Sequence, residues 1–145
     1  MDMPSGWNWT DAKHRKLKAT PTELQAIAGR CESLSAGEQR KGFDHAMRVL
    51  SEMPVIAAHD DGGDDAVWIG LLADSGAYES AAVALFPPLT TFNGGRMADG
   101  SFVAQVILPS GAGANSRTAR SFSMALVAAL LRACAREAIE QRAAS

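Results

Sequence analysis

Cysteine is scarce. Cys31 and Cys134 are the two present in 145 residues, too few for a disulfide framework or a Cys-rich zinc site. Long apolar runs are also missing. No charge-free apolar stretch approaches about 18 residues, so no membrane span is expected. Met1 to Lys18 carries charge without an apolar segment, so a secretory signal is not expected there. Neither sign of charge dominates: the formal net charge is −2, which excludes a polycation built as a whole for nucleic acid. There is no internal repeat and no low-complexity tract. Together these absences predict a soluble, cytoplasmic protein with no membrane partner.

What the chain does have is enough apolar material for one core. Hydrophobic residues make up 47% and charged residues 21%, which argues against a disordered chain. A chain of this mass buries roughly two-thirds of the surface it exposes unfolded, so one domain is expected over residues 20–145. Residues 1–19 show no clean period and read as an arm. Trp7 and Trp9 precede a basic cluster of Lys13, His14, Arg15, Lys16 and Lys18. One reading is a solvated tail whose indoles dock on the body. The other is a contact arm (Trp7, Trp9, Lys13, Arg15, Lys16, Lys18) for a partner or a polyanion, since charge and a stacking face occur together.

Helical signals open the domain. Thr20-Pro21-Thr22-Glu23 combines a capping residue, a proline suited to the first turn and a reciprocal carboxylate. Leu24, Ile27, Ala28, Cys31 and Leu34 then mark one face of a helix, with Cys31 read as an inert core thiol. Ser35-Ala36-Gly37-Glu38 repeats the capping pattern. Phe43, Ala46, Met47, Leu50 and Met53 form a second apolar face, ended by Pro54. His45 beside that stripe reads as a partly buried structural histidine.

Strand signals follow. Val55 to Ala58 is a short candidate strand, His59 to Asp65 an acidic Gly-rich loop, and Val67 to Leu72 the best central strand. Ser75 to Phe86 is either a short helix or an extended lead into Pro87-Pro88. Leu89 to Phe92 and Ser101 to Leu108 flank a segment with both Asn-Gly and Asp-Gly turn chemistry. Pro109 to Asn115 reads as a Gly-rich loop. A helix is predicted from about Ser116 to Ala143, roughly 40 Å long, with a wide apolar face around Phe122, Leu126, Leu130 and Ala133. Its late charges, Arg132, Arg136, Glu137, Glu140 and Arg142, are expected to project. The element order predicts an α+β fold, an antiparallel sheet of three to four strands sandwiched by helices, with a long C-terminal helix.

Two segments offer chemistry. In the acidic loop, His59, Asp60, Asp61, Asp64 and Asp65 could ligate a divalent cation, which would permit a metal-dependent hydrolase. The calcium-loop and zinc-helix spacings are absent, and an exposed acidic loop needs no metal, so no metal or cofactor is expected. The second segment runs from Gly111 to Arg120. A Gly-rich loop entering a helix presents free N–H groups and the positive end of the helix dipole. Gly111, Gly113, Asn115, Ser116, Arg117, Thr118 and Arg120 would then cradle an anion or ligand, with arginines suited to phosphate. The plainer reading is an ordinary capped strand-to-helix turn. Neither a P-loop nor a dinucleotide fingerprint is present. Three histidines (His14, His45, His59) permit a triad on paper, yet no Gly-x-Ser-x-Gly elbow exists, and no catalytic residue is assigned.

Three stretches resemble the phage ABA sandwich domain family: Tyr78-Glu79-Ser80-Ala81-Ala82-Val83-Ala84-Leu85-Phe86-Pro87, Asp99-Gly100 before the strand Phe102 to Leu108, and Ser123-Met124-Ala125-Leu126-Val127-Ala128-Ala129-Leu130-Leu131-Arg132-Ala133. The resemblance spans roughly residues 21–138. This chain departs from the family in its second helix and acidic loop. The resemblance implies a helix–sheet sandwich, a phage or prophage origin and no catalytic residues. The function expected is that of an accessory protein acting by non-enzymatic binding, inhibiting a host protein or sequestering a small anionic ligand. A nucleic-acid module using the arm and the Gly-rich loop is the rival expectation. Self-association through the apolar C-terminal helix is a further one.

Overall fold

The computed structural model describes residues 19–50 and 62–144. The arm over 1–18, the strand expected at 55–58, and His59, Asp60 and Asp61 lie outside the described residues. The fold is α+β, with a three-stranded antiparallel sheet in the order β1-β2-β3 and a long helix near the C-terminus packed against it.

Helix α1 spans Pro21–Ser33. Its start is the reciprocal cap expected: Glu23 N–H donates to Thr20 Oγ1 at 3.1 Å, and Thr20 N–H donates to Glu23 Oε1 at 2.8 Å. Leu24, Ile27, Ala28 and Cys31 are buried on one face, and Glu32 is buried with them. A short 3-10 turn, Ala36–Glu38, leads into α2, Gln39–Leu50. There the Glu38 carboxylate accepts from the Ser35 N–H and hydroxyl, both at 3.0 Å. Phe43, Ala46 and Leu50 point into the core.

Helix α3, Gly62–Asp74, replaces the expected central strand at Val67 to Leu72 and absorbs Asp64 and Asp65 from the expected loop. A short apolar run fits either period, and tertiary packing decides between them. Ile69 and Ala73, four apart, are buried while Trp68 and Leu71 are exposed, which is helical spacing. The helix stops where Gly76 takes a left-handed φ of 84°. There Ala77 N–H bonds Leu72 O at 2.9 Å and Gly76 N–H bonds Ala73 O at 3.0 Å, a Schellman closure. The ambiguous segment resolves as helix α4, Tyr78–Ala84, which ends just before Pro87-Pro88.

Strands β1 (Thr91–Arg96) and β2 (Phe102–Ile107) form a hairpin. Asp99-Gly100 makes the turn, with Gly100 at φ 89° and the Asp99 carboxylate accepting from Ser101 N–H at 2.9 Å. Asn93-Gly94, expected in the turn, lies inside β1 opposite Gln105 and Ala104. Gly94 is there for close approach: a Cβ would stand 2.4 Å from the Val103 carbonyl and 2.8 Å from the Phe122 ring.

The Gly-rich loop does not enter a helix. Leu108 N–H bonds Ala112 O at 2.9 Å and Gly111, at φ 97°, bonds Leu108 O, so residues 109–112 turn the chain back into β3, Gly113–Asn115. Ser116 prolongs the ladder instead of capping: its N–H reaches Ala104 O at 2.8 Å and its hydroxyl accepts from Ala104 N–H at 2.9 Å. Helix α5 begins six residues later than expected and spans Phe122–Ala144. Ser121 is the residue positioned to cap, accepting from Met124 N–H through Oγ at 3.3 Å.

Helix α5 is the hub of the fold. It touches β2 and β3 on one side and α1, α2 and α4 on others. Residues from Ser123 to Leu131 are buried without a break, as are Ala133, Cys134 and Ala135. Its many alanines let α1 and the sheet approach closely. The wide apolar circumference is thus consumed inside the protomer, leaving Ile139 as its exposed large apolar side chain. The late charges do not all project: Arg136, Glu140 and Arg142 are exposed, but Arg132 is largely buried and Glu137 buried. No helix among the described residues is long and apolar enough to cross a membrane.

Candidate functional site

A groove of about 750 Å³ runs beside β3. The sheet contributes Gln105, Ile107, Gly113 and Asn115, and the turn contributes Gly111. Helix α5 contributes Arg132, Arg136, Ile139 and Glu140, and α1 contributes Gln25. Four of the α5 positions fall at 132, 136, 139 and 140, the spacing that sets side chains on one helix face.

Beneath the groove lies a buried ion pair. Glu32 Oε1 accepts from Arg132 Nη2 at 2.7 Å, and Glu32 Oε2 accepts from the Arg117 backbone N–H at 2.7 Å. The side chains are 6% and 15% exposed for Glu32 and Arg132. Both carboxylate oxygens are therefore committed, one to each side of the groove. Arg132 Nε is sealed from solvent with no partner among the described residues. Arg136 donates to Glu140 at 3.2 Å on the open rim, where the two side chains are 64% and 55% exposed. An exposed i,i+4 pair of this kind is worth only about 0.3–0.5 kcal/mol and exchanges partners readily. Glu137, one residue on, is buried under the turn. Burial pushes its carboxyl above the ordinary range, while the nearby Ser110 hydroxyl pulls the other way.

No family model matches this chain, and no curated protein or solved structure matches it.

Of the seven residues expected to cradle an anion, the groove gathers Gly111, Gly113 and Asn115. Ser116 is spent on the sheet ladder. Arg117 meets Glu32 through its backbone, and its side chain, like Thr118 and Arg120, is exposed. The helix N-terminus expected to supply the positive field is elsewhere, because α5 starts at Phe122. The cationic groups of the groove come instead from the middle of α5. The arm residues Trp7, Trp9, Lys13, Arg15, Lys16 and Lys18 lie outside the described residues. The acidic segment is split, with Asp64 and Asp65 on α3 and His59, Asp60 and Asp61 outside. No group of three or more potential metal ligands occurs among the described residues.

Sequence reasoning missed Gln25, Glu32, Gln105, Arg132, Arg136 and Glu140. A signal existed for two of them. Glu32 falls on the apolar stripe of α1, four residues after Ala28, and Arg132 is the one charge between Arg120 and Arg136. A charge on an apolar face implies a partner across the core.

Cys31 and His45 both line a small depression of about 140 Å³, where a thiol and an imidazole meet among the described residues. Burial pushes the Cys31 thiol up to about 12, with Glu32 adding to the effect. Burial also lowers the His45 imidazole, helped by Arg30 and Arg48. A protonated thiol beside an unprotonated, half-buried ring is a packing arrangement, since the thiolate is the nucleophilic form.

Proposed function

We propose that this protein acts by non-enzymatic binding and that the groove beside β3 receives a ligand carrying an anionic group, a carboxylate or a phosphate. The observation that carries this reading is the convergence of Arg132 and Arg136 on a groove floored by a turn of small residues. Arg132 is held in place by Glu32, so its orientation is fixed before a ligand arrives. Arg136 can leave Glu140 for an incoming anion at little cost. The guanidinium fork matches the planar oxygens of either anion. The amides of Gln25, Gln105 and Asn115 supply neutral donors and acceptors around it. The reading is compatible with the accessory binding role expected from the sequence, and it favours capture of a ligand over chemistry performed on it.

Titration with inorganic phosphate and with citrate at constant ionic strength, followed by amide NMR, tests this. The expected result is saturable shifts at Gly111, Gly113 and Asn115, weakened about tenfold by Arg136→Ala, the loss of one charge-assisted hydrogen bond. Absence of saturable shifts at these amides in the unmodified protein overturns the reading.

A further inference from the structure

Resting on that reading, we infer that the natural occupant of the groove is an extended, acidic polypeptide segment that adds to the sheet as a fourth strand along β3. The hydrogen-bond register points to this. In an antiparallel ladder, residues in bonded pairs alternate with residues whose N–H and C=O point away from the partner strand. Ala104 with Ser116 and Leu108 with Ala112 are bonded. The paired residues between them are Val106 with Ala114, flanked by Gln105 with Asn115 and Ile107 with Gly113. The alternation therefore turns the backbone groups of Gly113 and Asn115 outward. Arg117, two residues on, sends its own N–H to Glu32 on α1, which shows that this edge faces the helical layer.

The groove thus has one wall made of unpaired strand backbone and an opposite wall made of α5. That is the geometry of strand addition next to a helix, in which main-chain bonds give affinity and alternate side chains give selectivity. A small rigid anion at Arg136 perturbs the neighbouring Gly113 and Asn115 amides but cannot pair both the N–H and the C=O groups of the edge. An extended chain uses both. Charge chooses among chains: Arg132 is held by the buried Glu32, while Arg136 is paired only with the exposed Glu140, so a carboxylate on the incoming strand fits where it displaces Glu140 from Arg136. Ile107 and Ile139, both exposed, line the same groove and take apolar residues between them. β1 is the other edge of the sheet, but its six residues are exposed throughout.

The test uses a random dodecapeptide display library selected on the full chain, with inorganic phosphate as the parallel probe. Asn115→Pro removes the outward N–H while sparing the ladder, because proline is tolerated at an edge position whose N–H faces away from the neighbouring strand. The expected result is enrichment of acidic, β-prone peptides that bind Asn115→Pro about tenfold more weakly than Asn115→Ala, which lacks the same side chain but keeps the outward N–H. In the unmodified protein, the selected peptide slows hydrogen exchange at Gly113 and Asn115, which keeps the test valid should the variant unfold. If phosphate binds but no acidic peptide is enriched, or enriched peptides leave exchange at both amides unaltered, strand addition is wrong and the anion site stands. If phosphate fails on the unmodified protein, the reading beneath it falls as well.

Discussion

Replacing Glu32 with alanine tests the buried pair on which the groove is built. The substitution removes the acceptor for Arg132 Nη2 and for the Arg117 N–H, both at 2.7 Å. Arg132, 15% exposed, would keep a charge with no counter-ion beside it. Breaking one side of a buried pair costs about 3–5 kcal/mol, against a total stability of roughly 5–15 kcal/mol for a domain. At about 2–4 °C per kcal/mol for a chain of this size, the melting temperature should fall by about 6–20 °C. Urea melts followed by circular dichroism measure the loss. The double variant Glu32→Leu with Arg132→Met should recover most of it, since two well-packed apolar side chains replace an ion pair at little net cost. A Glu32→Ala variant within about 1 kcal/mol of the unmodified protein would refute the reasoning. So would a double variant as unstable as the sum of the singles.

Glu137→Gln should stabilise the protein at pH 7. Burial raises the Glu137 carboxyl above its ordinary value of 4.5, so the native state holds that proton more tightly than the unfolded chain. The resulting contribution favours folding fully below about 4.5 and is lost as pH rises through the folded value. The gain from glutamine should therefore shrink as urea melts move toward pH 4, and a gain independent of pH would contradict this origin. Neither thiol should react with a disulfide reagent in the native protein at pH 8, because Cys31 is pushed up to about 12 and burial holds Cys134 protonated as well. Two thiols should titrate after unfolding. Gly42→Ala places a Cβ 2.7 Å from Met124 Sδ and 2.8 Å from Leu34 Cδ1, an overpacking expected to cost about 1–3 kcal/mol that outweighs the gain of up to about 1 kcal/mol alanine brings to a helix interior. Gly29→Ala meets nothing within 4 Å and should instead stabilise α1 by about 0.5–1 kcal/mol. The two should move a urea midpoint in opposite directions.

The parts of the fold that could be read from the sequence are those written locally. The Thr20 and Ser35 starts depend on residues three apart, and the Asp99-Gly100 turn on neighbours, so no distant contact was needed to find them. Val67 to Leu72 reads as strand because β-branched and aromatic residues open it, yet Ile69 and Ala73 are drawn into the core at helical spacing. That choice is made by the surrounding packing and is invisible in six letters. The glycines mislead for a related reason. Asn93-Gly94 carries turn chemistry but serves a close strand–strand approach, and Gly111 turns into β3 where a helix start was expected. With α5 beginning at Phe122, the anion cradle expected at its N-terminus lost its dipole. Gly111, Gly113 and Asn115 still line the groove, for their edge position. Arg132 and Glu32 lie a hundred residues apart, and only the folded chain brings them together, although a lone charge on each apolar face marks both.

The placement of α5 has a consequence for how the chain reaches its native state. Every layer described rests on the helix that comes last among them, and the links that close the structure, Glu32 to Arg132 and Gln39 to Ser123, span 100 and 84 positions. During synthesis, α1, α2 and the hairpin emerge without the helix against which all three pack. Closing such distant pairs is entropically slow, so the nascent chain waits, greasy and unfinished, until residues near 135 have left the ribosome, and a chaperone has its longest opportunity in that interval.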